Sequence, residues 1–150
     1  EKTMKTFLKK AKTGFTLTEL VIVIAVIAVL MAVLLPVLFD SIAEDREETA
    51  ITQGRTEWGI YSAVADVPEA DEEQNYLVEV TVDGTTMYFW VISGTFVELP
   101  VAEKPESTQV TFYGADAATT LTVTDTQVNT GDGYRAVYEN VKIYALSAGN

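Results

Sequence analysis

Neither cysteine nor histidine occurs anywhere in this 150-residue chain. Their absence excludes thiolate and imidazole metal sites, cysteine nucleophiles, and any serine–histidine or cysteine–histidine pair. It also excludes disulfides, so whatever folds here is held by packing. Positive charge is scarce as well: from Asp40 onward twenty Asp and Glu stand against Arg46, Arg55, Lys104, Arg135 and Lys142, a balance of −15. A surface of that sign repels phosphate, and no direct contact of this part with nucleic acid is expected. Its plainest reading is a solvated face that keeps a domain soluble.

Charge of either sign is missing altogether from Leu20 to Phe39, a run of twenty residues. As a helix at ~1.5 Å per residue this run is ~30 Å long, which matches the hydrocarbon core of a bilayer. Ahead of it Lys2, Lys5, Lys9, Lys10 and Lys12 outweigh Glu1 by four charges. Lysines before and acids after the run place the N-terminus in the cytoplasm and the C-terminus outside, by the positive-inside preference. The chain therefore divides into a basic leader at 1–14, a membrane helix at 15–39 and an extracellular domain at 40–150.

Proline is rare, and none lies between Asp40 and Ala65, so the helix is expected to run from Phe15 to about Ala65, with Pro68 as its stop. Ile51, Trp58, Tyr61, Val64 and Ala65 fall near one face of the outer half and predict a sheet beneath it. Trp58 and Tyr61 read as core residues there, as does the cluster Tyr88, Phe89 and Trp90. Gly54 marks a bend or a close packing point at a cost of ~1 kcal/mol of helix propensity. After the acidic loop 69–73 the period changes to two: Tyr76, Val78, Val80 and Val82 alternate with polar residues, and Asp83-Gly84 reads as a hairpin turn into a central strand over 87–92. Further strands are expected at 95–99, 109–113, 119–124 and 134–146, the last interrupted near Asn140, and 129–133 reads as a turn. The fold class is α+β: a long N-terminal helix, transmembrane in its first half, packed on a C-terminal antiparallel sheet.

No catalytic, cofactor or metal residue stands out. The acids at 69–73 could collect a calcium ion, but they lack the spaced Asp/Asn and glycine of a calcium loop. No carboxylate pair separates itself from the many solvated acids, and an enzyme is not expected.

One stretch is specific: Lys9-Lys10-Ala11-Lys12-Thr13-Gly14-Phe15-Thr16-Leu17-Thr18-Glu19-Leu20, running straight into the apolar segment. A secretory signal carries its small-residue cleavage site after the apolar stretch, whereas here Gly14 precedes it. A carboxylate at Glu19, inserted unpaired, costs on the order of 2.5–3.5 kcal/mol or more. The basic leader, Gly14, the aromatic Phe15 and Glu19 as fifth residue from Phe15 resemble the processing site of type IV prepilins and the related pseudopilins. Pro36, twenty-second from Phe15, sits where that family commonly carries a helix-loosening proline. The likeness covers 9–39 closely and the sheet only in outline.

The resemblance implies that a prepilin peptidase cuts after Gly14 and N-methylates Phe15, and that Glu19 pairs with the Phe15 amine of a neighbouring subunit. It implies as partners the peptidase, copies of this chain and other pilins, an assembly platform, and membrane lipid before assembly. The subunit would start as a single-pass protein of the cytoplasmic membrane and end in a filament on the cell surface. Pro36, unable to bond the carbonyl of Ala32, would let the helix loosen on assembly, or is a tolerated kink in a membrane helix. A membrane-anchored ectodomain that binds a partner as a monomer is the competing function. Within the family, a pseudopilin of a secretion or DNA-uptake machine competes with a pilus subunit.

Overall fold

A computed structural model describes residues 14–65, 75–131 and 134–148. The leader at 1–13, the acidic loop at 69–73, Pro68 and residues 132–133 of the expected turn lie outside that description. The elements are one helix, α1 (Leu17–Val64), and six strands, β1 (Tyr76–Val82), β2 (Thr85–Ile92), β3 (Thr95–Phe96), β4 (Ser107–Val110), β5 (Thr119–Gln127) and β6 (Val141–Ala148). Two compact units meet within α1, between Ile42 and Ala43.

In the first unit, α1 is apolar on every side, and all of its large hydrophobic residues are exposed. It is long and apolar enough to cross a membrane. The helix continues through Pro36 without interruption. Its start differs from expectation by two residues, because Thr16 caps the helix instead of joining it.

In the second unit the remainder of α1 packs on one curled, wholly antiparallel sheet of order β3-β2-β1-β6-β5-β4. The alternation in β1 does what period two requires. Val78 faces Phe89 and Ile143 across its two neighbours, and these side chains lie in the helix-side core with Val80, Val91 and Val141. Leu77 points the other way, to a second apolar cluster with Leu121 and Leu146, against which Tyr88, Trp90, Val110 and Phe112 pack. This is why β2 is apolar on both faces even though it is not central. It lies between β1 and the two-residue β3, and the middle of the sheet is β1 with β6.

Asp83-Gly84 forms the expected turn, with φ of +48° and +78°. Ser93-Gly94 repeats that geometry at +48° and +77° between β2 and β3. Positive φ at both central residues is the twist that a two-residue hairpin needs, and glycine adopts it without a steric cost. The second turn is pinned from two sides: Ser93 N donates to Asn75 Oδ1 at 2.9 Å, and Trp58 Nε1 donates to the Gly94 carbonyl at 3.2 Å.

The buried helix face is Ala50, Gly54, Glu57 and Trp58, with Ile51 and Tyr61 half-buried, while Val64 and Ala65 are exposed. Gly54 is a close packing point: a Cβ there would lie 3.1 Å from Val80 Cγ2 and 3.2 Å from Phe96 Cζ. The fourth strand lies at 107–110, earlier than expected, and the fifth extends to Gln127 through an irregularity after Val123. The last strand starts at Val141, because 134–140 is drawn away from the sheet by Glu57 on α1.

Candidate processing and assembly site

Gly14, Phe15, Thr16 and Glu19 lie within about one turn of the start of α1. The first helical bond, from Leu20 N to the Thr16 carbonyl at 3.2 Å, makes Thr16 the capping residue. Its hydroxyl accepts from Glu19 N at 3.2 Å and donates to Glu19 Oε2 at 3.0 Å, while Thr16 N donates to the same Oε2 at 2.8 Å. This is a reciprocal cap of the Thr-x-x-Glu kind, which satisfies amides that a helix start otherwise leaves open. A negative group there also complements the helix dipole.

The cap engages one oxygen of Glu19. Its Oε1 accepts no hydrogen bond among the described residues. One carboxylate can therefore hold the first turn and still offer an oxygen to an external cation. Phe15 is 90% exposed, and a Cβ built on Gly14 would meet nothing within 4 Å. Among the described residues nothing covers the Gly14–Phe15 peptide, and packing there gives no reason for glycine at 14. Pro36 is not gathered into this site, since seventeen helical residues at ~1.5 Å each put it roughly 25 Å along α1 from Glu19.

Two residues escape the sequence reading. Thr16 carries a readable signal, because Thr followed by Glu three residues later before an apolar run marks a capped helix start. Glu57 carries none. On a helix with many exposed acids it looks solvated, yet it is fully buried. Its Oε1 accepts from the Tyr134 hydroxyl, and its Oε2 accepts from Val137 N and Tyr138 N at 3.1 Å each. Burial, the hydrogen bond to Glu57 and that carboxylate's charge push the Tyr134 hydroxyl well above the usual tyrosine range.

Residues 9–35 match the family model of the prokaryotic N-terminal methylation motif. That motif is the class III signal peptide of type IV pilins and pseudopilins, and it supports a type IV pilin-like or pseudopilin protein. The class is structural, not enzymatic, its motif implies prepilin-peptidase processing and assembly with other pilins, and the apolar helix suits membrane anchoring. No curated protein and no solved structure matches the chain.

Proposed function

We propose that the protein is a structural subunit of an extracellular type IV pilus or pilus-like filament. Prepilin peptidase cuts the Gly14–Phe15 bond and methylates the new amine, which keeps its positive charge. Glu19 then receives the Phe15 amine of a neighbouring subunit as the helix leaves the bilayer. Either charge alone is costly in a filament core of low dielectric, and the pair is much less so. Around Pro36, where Ala32 lacks a backbone partner, the helix loosens as subunits pack.

The methylation motif at 9–35 carries this reading. Two features support it: the open Gly14–Phe15 peptide and the unengaged oxygen of Glu19. Lysines on one side of the apolar run and acids on the other favour an N-terminus inside and a domain outside.

Intact-mass and N-terminal analysis of the chain from sheared cell-surface material, beside a Glu19→Ala variant, tests the proposal. Wild-type subunits beginning at methylated Phe15, present in filaments and depleted from them in the variant, are the expected result. An uncut chain that stays in the membrane and is indifferent to Glu19→Ala would sink it and favour the anchored ectodomain.

A further inference from the structure

The second unit pairs four of its five cations internally: Arg46 with Asp83, Arg55 with Glu98, Lys104 with Asp125 and Lys142 with Glu79. Arg135 is the exception, with no acidic partner among the described residues. It is exposed on the 134–140 loop, two residues before Val137, which is 59% exposed. The buried Glu57 carboxylate braces that loop from beneath through Tyr134, Val137 and Tyr138. The Tyr134 ring also packs edge-on against Tyr61 at 5.8 Å. A cation and an apolar side chain are thus held outward on a loop fixed from within, which lowers the ordering cost of binding.

A complementary surface lies along α1. Glu44, Glu47 and Glu48 have no cationic partner among the described residues, and with Ile51, Thr52, Arg55 and Glu98 they line a shallow groove of about 390 Å³. Arg55 is already taken by Glu98 there. Tyr138 of the 134–140 loop lines a neighbouring groove with Asp45, Glu48, Thr49 and Gln53, and the two grooves share Glu48 and Thr52. No ion pair joins Arg135 to Glu44, Glu47 or Glu48 of its own chain, which leaves both partners to a second chain.

We propose that Arg135 and Val137 of one subunit seat in the groove formed by Glu44, Glu47, Glu48 and Ile51 of a second copy. The charge of the domain argues for that occupant. Two second units carrying −14 each repel, so a stable contact needs a cation placed against acids, and Arg135 is the cation left for it. The guanidinium presents five donors to carboxylates that have no other cation, while Val137 covers the half-buried Ile51. Knob and groove are different patches, so the contact is heterologous and propagates from subunit to subunit without closing a dimer. The proposal rests on the filament reading and adds a contact outside the apolar helices.

Full-length Arg135→Glu, produced in a cell that assembles the wild type, is the first test. The variant should still begin at Phe15 and unfold in urea like the wild type, while subunit in sheared filaments falls about tenfold. Adding Glu47→Arg should restore most of it. Because the chain has no cysteine, Arg135→Cys combined with Glu47→Cys and a short bismaleimide gives a second readout in assembled material. A multimer ladder from the double variant, and none from either single variant, is expected. Normal yield from Arg135→Glu without a ladder overturns the contact, leaves the filament reading intact and points Arg135 at an anion outside this chain. Reduced yield that Glu47→Arg does not restore, again without a ladder, overturns it too. If wild-type surface material holds no subunit beginning at Phe15, the filament reading fails and this contact fails with it.

Discussion

From Leu20 to Phe39 every large apolar side chain is open, from Leu35 at 45% exposed to Val29 and Val33 at 67%. From Ala50 to Leu146 the same residue types close into two clusters, and Leu77, Val78, Val80, Phe89, Val91 and Ile143 are completely covered. One helix thus passes through two environments. Its second part has a partner in its own chain. None of the described residues of the first unit covers the first part, and apolar surface on that scale is a site for lipid or for other helices. Side chains of equal hydrophobicity should therefore fix the fold in one unit and the associations of the protein in the other.

The sharpest way to break this contrast is to truncate one large side chain in each unit. Phe89→Ala should lower unfolding free energy by about 3–5 kcal/mol, since a fully buried ring leaves a cavity. Leu30→Ala should leave it within about 0.5 kcal/mol, because Leu30 is 55% exposed and touches no core. Urea unfolding of the full chain in mild detergent, followed by fluorescence of Trp58 and Trp90, reports the second unit in both variants. Equal losses would mean that the two units stabilise each other and that the division at Ile42 is not energetic.

Alkali should separate the units next. Burial above all, then the charge of Tyr61 and a hydrogen bond with it, pushes the Tyr76 hydroxyl from its ordinary 10.0 up to about 12, and Tyr134 is raised by burial and by Glu57. In the unfolded chain these phenols release their protons near 10, whereas the folded unit holds them. Unfolding therefore releases protons in that window, so stability is complete below pH 10 and falls as pH rises toward 12. The fall should be smaller in Tyr134→Phe, which no longer has that proton to lose, although the variant starts less stable by about 1–3 kcal/mol because Glu57 loses a donor. Residues 14–42 contain no tyrosine, so helicity contributed by the first unit should not change over the same range. A loss of stability with the same slope in both proteins would show that Tyr134 does not titrate with unfolding.

What the sequence discloses follows the range of the interactions. The apolar run, β1 and the Asp83-Gly84 turn are legible because period and turn chemistry are local. The Thr16–Glu19 cap is equally local, with its partners three residues apart. Glu57 is not legible: its three donors lie 77 to 81 residues away, and nothing near it in sequence distinguishes it from the solvated acids. The late start of β6 follows from the same contact. Asn129 is a second such case. Placed by its neighbours in a turn, it is in fact buried, with its amide donating to the Val141 carbonyl at 2.9 Å and its Oδ1 accepting from Ile143 N at 2.8 Å. At the candidate site the residue types are readable from sequence, and the geometry adds which oxygen of Glu19 is already engaged.

The smallest effects lie inside the second unit, where the contrast between covered and open surface recurs on two faces of α1. Gly59 and Gly54 are both helical, and each costs the helix backbone entropy that alanine does not. A Cβ on Gly59 meets nothing within 4 Å. Gly59→Ala should therefore stabilise the unit by roughly 0.5–1 kcal/mol. At Gly54 the same atom would sit 3.1 Å from Val80 Cγ2 and 3.2 and 3.3 Å from the Phe96 ring, so the helical gain is set against a contact that must open by a few tenths of an ångström. Gly54→Ala should fall below Gly59→Ala, and Gly54→Leu, which cannot fit between helix and sheet, should lose about 1–3 kcal/mol. Urea midpoints of the three variants order them directly. If Gly54→Leu unfolds no earlier than the wild type, the close approach of α1 to β1 and β3 is not what glycine serves at that position.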